Sequence, residues 1–429
     1  MMKRFFISLV LGCCLIPVRA GYTWEVCQQK ARENYPLIRQ YELVEKLSEF
    51  NVQNASRAYL PQISLSGQAT YQSEVMSFPE QMETQYRLMG LDMEGLRNDQ
   101  YKMVLDVSQT VWDGGYTKSQ KDAAKAEKVV STASTDVEMY ALRGRVNQIF
   151  FGILMLDENL KLNELVANTL QSNYDFLEAG VKNGLALESD LYKIKAEIIT
   201  NNQTKSRIET TRDAYIKVLS LMLGEQIPPK AVFEKPSIDM LALQNENNRP
   251  ELTLFDAQES ALGAKEEMVN AAIMPRFKLF AQGLYGYPSL NMFDDMMDYK
   301  WSTDYIVGIG FQWNLSSLYT RKNNLNTIKT NSQQIDIQRN RFLYNNRLEQ
   351  IQKDAEIDQI SSVMKDDDEM IRLRSYVRET SQAKYQNGTI TLNELLSDIT
   401  SESKALLDKS VHEIEYLQKM YERKHITNN

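Results

Sequence analysis

Apolar and polar residues alternate in four short segments of the chain. Each segment is about ten residues long, and a period of two predicts a β-strand with one apolar and one polar face. A tilted strand of about that length can cross a bilayer. The apolar positions are Ile63, Leu65, Ala69 and Tyr71, then Tyr101, Met103, Leu105, Val107 and Val111, then Phe277, Leu279, Ala281, Tyr285 and Tyr287, and finally Tyr305, Val307, Ile309, Phe311 and Trp313.

The alternation assigns the two faces of such strands. In a bilayer the apolar face contacts lipid, with aromatic residues at the two interfaces, and the polar face lines a lumen. Aromatic residues do gather at the segment ends, at Tyr71, Tyr101, Trp112, Tyr285, Tyr287, Trp301, Tyr305 and Trp313. We expect lipid contacts at Val107, Leu279, Ile309 and Phe311, and lumen positions at Asp106, Gln282 and Gln312. An antiparallel sheet packed on a soluble core is the alternative.

A long helical segment follows each pair of strands. From Tyr116 to about Ala179 there is no proline, and apolar residues recur with a mean period of 3.5, which is typical of a coiled-coil seam. About 60 helical residues would extend about 90 Å. The second half predicts a similar helix from about Tyr319 to Lys384. Return helices are expected over about 190–222 and 393–423.

The two halves of the chain repeat one order of elements. Pro36 and Pro61 of the first half recur as Pro250 and Pro275 at the same spacing. Asn183-Gly184 matches Asn387-Gly388, after a longer strand connection in the first half. These matching motifs occur in the same order in both halves, which indicates an internal duplication. Each repeat is a helix, a β-hairpin and a long helical hairpin.

The N-terminus reads as an export signal. Lys3 and Arg4 precede an apolar stretch, and small residues allow cleavage after Ala20. A lipoprotein signal ending at Cys13 or Cys14 is the alternative. Cleavage after Ala20 leaves Cys27 as the one cysteine, so no internal disulfide is expected.

Charge and reactive residues exclude several classes of function. The formal net charge of −8 disfavours nucleic-acid binding, which needs clustered Lys and Arg. The two histidines lack metal-site spacing, and no catalytic constellation can be built. We therefore expect no cofactor, no metal and no enzymatic activity. The acidic run Asp366-Asp367-Asp368-Glu369 is interpreted as a solvated helix face.

Four membrane strands require partner chains. An open sheet edge would leave backbone groups unsatisfied in lipid, so a barrel must close. Two chains would give about eight strands and a barrel filled by side chains, whereas three chains would give about twelve strands and an open lumen. A ring of the long helices around the same axis would bury their seams, giving a barrel continued by a helical tube.

The chain resembles the TolC-like outer-membrane efflux proteins over nearly all of its length after the signal. The resemblance rests on Ala31-Arg32-Glu33-Asn34-Tyr35-Pro36, Ala58-Tyr59-Leu60-Pro61, Val107-Ser108-Gln109-Thr110-Val111-Trp112-Asp113-Gly114-Gly115, Asn183-Gly184-Leu185 and Asn387-Gly388-Thr389. It implies a homotrimer with a 12-stranded β-barrel in outer-membrane lipid and a periplasmic α-helical coiled-coil tunnel. It also implies a passive exit duct, supplied by an inner-membrane pump through a periplasmic adaptor protein, in efflux or type I secretion. The alternative is a periplasmic coiled-coil scaffold or adhesin without a pore.

This architecture divides the chain into eight parts. They are a signal peptide (1–20), a first tunnel helix (21–60), barrel hairpin (61–115) and helical hairpin (116–223), a linker (224–247), and a second tunnel helix (248–274), barrel hairpin (275–317) and helical hairpin with C-terminal tail (318–429).

The resemblance also implies two groups of site residues at the turns of the helical hairpins. The adaptor-docking tips would contain Gly184, Leu185, Gly388 and Thr389. A periplasmic gate would contain a latch between Tyr385 and Asp190, an acidic ring of Glu394, and Ser189. Ile390 stands where the family often has an arginine, so the second latch, with Ser189, is expected to be missing. Ser397 stands where a second acidic ring residue is expected.

Overall fold

The computed structural model describes residues 21–91, 93, 95–184, 186–237 and 246–428. The predicted signal with Cys13 and Cys14, the tip residue Leu185 and part of the linker lie outside the described residues. The α-helices are α1 (Trp24–Asn34), α2 (Gln40–Ser56), α3 (Glu80–Leu88), α4 (Tyr116–Lys182), α5 (Glu188–Leu223), α6 (Pro250–Ala272), α7 (Met292–Met297), α8 (Ser317–Gln386) and α9 (Leu392–Thr427). The strands are β1 (Gln62–Tyr71), β2 (Asp99–Trp112), β3 (Arg276–Tyr287) and β4 (Ser302–Gln312).

The segment predicted as one helix over 21–60 is two helices. A 3₁₀ turn at Pro36–Arg39 separates α1 from α2, and Tyr35 before it is extended, with φ −66° and ψ 128°. Proline lacks an N–H and clashes with the carbonyl four residues earlier, which ends α1. Pro250 instead occupies the first position of α6, where proline is tolerated.

The four strands form one antiparallel sheet in chain order. In addition to the two predicted hairpins, β2 pairs with β3, so the strands of the two repeats are hydrogen-bonded to each other. The register aligns Ile63 with Val107, Val107 with Ala281, and Ala281 with Val307. The apolar positions therefore share one face of the sheet, as the alternation predicts.

The chain divides into two compact units. One, the strand unit, comprises Arg39–Val137 and Pro250–Tyr344 and contains the sheet. The other, the helical unit, comprises the described parts of 1–38, 138–249 and 345–429. Among the described residues, no helix is both long enough and apolar enough to cross a membrane.

The helical unit has a continuous apolar core. α4 contributes Val146, Phe150, Phe151 and Ile153, α5 contributes Ile216, Leu219 and Leu223, and α9 contributes Ile414, Leu417 and Tyr421. The predicted linker is irregular where it is described, but Ile227 and Phe233 are buried in this core. Phe233 also forms an isolated β-bridge with Tyr22. Part of the linker is thus packed against the helices.

The connections at one end of the sheet form a small apolar cluster in the strand unit. Leu96, Tyr287 and Met296 are buried together. Tyr287 is only 1% exposed, and its hydroxyl accepts a hydrogen bond of 2.9 Å from the Arg97 N–H. The placement of Tyr287 in an exposed aromatic girdle was therefore wrong, because these connections, which include α3 and α7, fold over its ring.

Candidate channel surfaces and helical tips

The sheet has one exposed apolar face and one polar face. Val307, Ile309 and Tyr305 on β4 are 71%, 76% and 80% exposed on the apolar face. On the opposite face Asp106 pairs in register with Gln282, whose side-chain amide donates a hydrogen bond of 2.7 Å to the Asp106 carboxylate. Gln312 pairs with Arg276 on the same face. A lipid contact on one side and an aqueous lumen on the other fit these two surfaces.

Asp113 connects the end of β2 to the start of α4. Its buried carboxylate accepts hydrogen bonds from the Tyr59 hydroxyl at 2.9 Å and from the backbone N–H groups of Thr117 and Gly115 at 2.8 and 3.1 Å. Burial opposes ionisation, but the hydrogen bonds from Thr117, Tyr59 and Gly115 outweigh it and lower the pKa of Asp113. This contact fixes the turn from strand to helix.

The two tips of the helical hairpins have the same geometry. Gly184 and Gly388 adopt φ values of 70° and 69°, a left-handed conformation that favours glycine. The preceding residues also match, because the Asn183 and Asn387 side chains donate hydrogen bonds of 2.8 and 2.9 Å to the carbonyls four residues earlier. Both glycines are exposed, and nothing lies within 4 Å of a Cβ built on either. The tips therefore present two similar turns.

The turn of the second tip is also held by Thr389. Its N–H and its hydroxyl both donate to the Lys384 carbonyl, at 3.0 and 2.9 Å. The tips share an apolar cluster in which Leu177, Ile194 and Leu392 are buried. This cluster holds the two hairpins of the helical unit together next to their turns.

Tyr385 and Asp190 are neighbours without a direct hydrogen bond among the described residues. The ring of Tyr385 packs on the tip cluster and lies 6.2 Å from the ring of Phe176. The Asp190 carboxylate accepts a hydrogen bond of 3.1 Å from Lys193. Burial and, next, the charge of Asp190 raise the pKa of Tyr385. Ser189 is exposed in the first turn of α5. The latch stays a prediction.

Glu394 is exposed and has a local partner that was not predicted from the sequence. Its carboxylate accepts a hydrogen bond of 2.8 Å from the Thr391 N–H, and the Thr391 hydroxyl accepts one of 3.3 Å from the Glu394 N–H. This is a capping box at the start of α9, and its signal was the Thr-x-x-Glu spacing. The carboxylate of Asp398 accepts a hydrogen bond of 2.5 Å from Ser381 in α8. Asp398 therefore contacts the other helix of its own hairpin.

A ladder of polar contacts, which no pattern in the sequence indicated, joins α8 to α9. The contacts pair Arg378 with Glu402, Ser381 with Asp398, Asp368 with Lys409, Asp367 with His412, Glu356 with Lys419, Asp354 with Arg423 and Lys353 with Glu422. Asp367 is buried beside His412, so the acidic run is only in part a solvated face. Hydrogen bonds from Lys353 and Lys419 lower the pKa of Glu356 to about 2.

The described residues contain no group of three or more His, Cys, Asp or Glu side chains that could hold a metal ion.

Comparisons with known proteins match part of the chain to a family model and nearly all of it to a known fold. A family model described as outer membrane efflux protein matches residues 28–225. The chain is similar to the outer membrane protein VceC of Vibrio cholerae, with 14% identity, a TM-score of 0.67, and coverage of 95% of this chain and 96% of that chain. It is similar to the CmeC outer membrane channel of Campylobacter jejuni, with 13% identity, a TM-score of 0.66, and coverage of 94% and 85%. The MtrE outer membrane channel of Neisseria gonorrhoeae in its open state matches with 14% identity, a TM-score of 0.65, and coverage of 95% and 89%. No curated protein matches the sequence significantly.

Proposed function

We propose that the chain is a member of the outer membrane efflux protein family and the channel component of a tripartite efflux or type I secretion system, because the family model matches residues 28–225 and the fold is TolC-like. Its place is the outer membrane, and it acts as a channel rather than as an enzyme. The observation that carries this function is the sheet, which exposes an apolar face and turns a polar face the other way.

The channel is a homotrimer in this proposal. One chain supplies four strands, and its sheet has open edges at β1 and β4. Unpaired edges are excluded from lipid, so strands of neighbouring chains must complete the hydrogen bonding. Three copies supply about twelve strands, enough for a barrel with an open lumen. Exposed apolar residues on α8, such as Ile337, Tyr344 and Ile351 at heptad spacing, give the helices a surface to bury between copies.

The duct is passive, and the energy for transport comes from an inner-membrane pump. A periplasmic adaptor protein joins the pump to the channel by docking on the tips around Gly184, Leu185, Gly388 and Thr389. The matching geometry of the two described turns supports this, because a trimer would present six similar hairpin tips. Tyr385, Asp190, Glu394 and Ser189 form the periplasmic gate in this proposal.

Membrane extraction followed by conductance recording tests the function. We expect the protein to sediment with the outer membrane, to need detergent for release, and to form ion-conducting pores in planar bilayers. A periplasmic coiled-coil scaffold or adhesin would instead be released without detergent and would give no pores. That result would rule out a channel.

A further inference from the structure

A polar pocket of about 320 Å³ lies on the polar face of the sheet, next to the strand connections. That volume is in the range of small-molecule sites. Its polar lining includes Gln68, Gln100, Lys102, Ser289, Ser302 and Asp304. The register places Gln68 opposite Lys102, and Leu284 opposite Asp304, so all four strands contribute to the floor.

The roof of the pocket is held in place by two carboxylates. The Asp295 carboxylate accepts hydrogen bonds from the Ser289 N–H at 2.5 Å and from the Ser289 hydroxyl at 2.7 Å. The Asp304 carboxylate accepts one of 2.9 Å from the Leu290 N–H. Asp295 is buried, so the segment that carries Ser289 and Leu290 is fixed from within the fold. A roof anchored in this way keeps the pocket open for a ligand.

The chemistry of the pocket favours a hydroxyl-rich anion. Side-chain amides both donate and accept hydrogen bonds, and they match the hydroxyl groups of a small solute. The ammonium of Lys102 has no ion pair or hydrogen bond with any other described residue. The Asp304 carboxylate accepts the Leu290 N–H and keeps its negative charge, but it lies on β4, two strands away from Lys102 on β2. Lys102, the one cation among the described residues that line the pocket, is therefore available to an anionic group, and the amides and hydroxyls are available to its polar substituents.

We propose that this pocket binds small hydroxylated organic anions, of which sugar acids are examples, at the end of the lumen where the strand connections lie. The site would retain such solutes briefly as they leave the duct. Small hydroxylated organic anions would then be one class of exported substrate. In that respect the inference rests on the proposed function, although binding to the pocket can be measured separately from export.

Two measurements on the full-length protein test the pocket, with glucuronate as the probe and glucose as the neutral comparison. Saturation-transfer NMR in detergent measures binding, and planar bilayers measure brief current blocks by the added sugar. We expect glucuronate to bind and to block more than glucose. Lys102→Gln should weaken both effects about tenfold, the loss of one charge-assisted hydrogen bond. Gln68→Leu should weaken them less.

Lys278→Gln is the matched control. Lys278 pairs with Thr110 at the opposite end of the polar face, so the variant makes the same charge change away from the pocket. It should bind glucuronate like the parent. Equal weakening by both lysine variants, or equal binding of glucose and glucuronate, would overturn the inference. If glucuronate binding depends on Lys102 but the protein forms no conducting pores, the proposed channel function is wrong and the proposed binding site is still supported.

Discussion

The hydroxyl of Tyr59 donates a hydrogen bond of 2.9 Å to the carboxylate of Asp113, across the junction between strands and helices in the strand unit. The same carboxylate caps the backbone at Gly115 and Thr117. One buried acceptor therefore serves three donors where β2 ends and α4 begins. We expect this contact to determine how well the junction folds.

Asp113→Ala should destabilise the protein by about 1–3 kcal/mol, because it leaves buried donors without an acceptor. Tyr59→Phe should cost only about 1 kcal/mol, since it removes one hydrogen bond. In the double variant the two costs should not add, because both changes break the same contact. Thermal melting of the detergent-solubilised protein measures this, and strict additivity would exclude the coupling.

Two neighbouring residues of β4 test the faces of the sheet. Val307 pairs with Ala281 on the apolar face, and Ile306 pairs with Gln282 on the polar face. Val307→Arg should destabilise the membrane-inserted state by roughly 2–4 kcal/mol if it meets the bilayer midplane, whereas Ile306→Arg should be tolerated in an aqueous lumen. The yield of folded trimer in the outer membrane is the measurement. Similar yields for the two variants would contradict the assignment.

Bulky changes at the tips test adaptor docking. Gly184→Trp and Gly388→Trp should abolish export but leave trimers in the membrane, because both sites are exposed turns with open space around them. Export of a fluorescent substrate from cells measures this. Gly90→Trp is the control, since Gly90 also has a positive φ of 81° and open space but lies in a strand connection. Loss of export in all three would indicate a folding defect.

Glu394→Gln tests the acidic ring at the gate. Glutamine can replace glutamate in a capping box, so the start of α9 should be preserved while the charge is lost. Three carboxylates near a shared axis would favour cations, and the variant should show weaker cation preference. Reversal potentials in a salt gradient give the measurement. An unchanged reversal potential would place the selectivity elsewhere.

The same recordings test the latch. Asp190→Ala combined with Tyr385→Phe should raise the single-channel conductance if these residues hold the mouth shut. Lys193→Ala is a useful comparison, because it removes the ion pair of Asp190 and leaves the carboxylate in place. Parental conductance in the double variant would remove both residues from the gate.

The ladder between α8 and α9 predicts a dependence of stability on pH. Hydrogen bonds from Lys353 and Lys419 lower the pKa of Glu356 from 4.5 to about 2. A carboxyl with a lowered pKa in the folded state contributes its full stability above pH 4.5 and loses it as the pH falls towards about 2. The melting temperature of the parent should fall more steeply over this range than that of Glu356→Gln.

Glu369→Gln is the control for this experiment. Glu369 pairs with Arg372 within one helix and is exposed, so solvent screens the pair. Its removal should leave the pH profile close to that of the parent. Equal profiles for the parent and Glu356→Gln would show that the pairs of Glu356 with Lys353 and Lys419 add no pH-dependent stability.

The sequence predicted the strands and the long helices because their signals are periodic and local. The alternation around Ile309 identified a strand and its apolar face, and the register confirms that Leu279 lies opposite on the same face. The glycines at the hairpin turns were also readable, since Gly184 and Gly388 repeat within matching sequences. The break at Pro36 was not predicted, although proline gave a local signal for it.

The tertiary structure decided the contacts between residues far apart in the chain. The burial of Tyr287 depends on connections that fold over it, and the pairing of Asp354 with Arg423 depends on how two helices align. Neither the alignment of two helices nor the fold of a connection produces a periodic pattern of residues in the sequence. By itself the sequence determined which elements form and which faces are apolar. The pairing of Asp113 with Tyr59 and that of Glu356 with Lys419 were decided by packing, because the fold brings together side chains that no spacing relates.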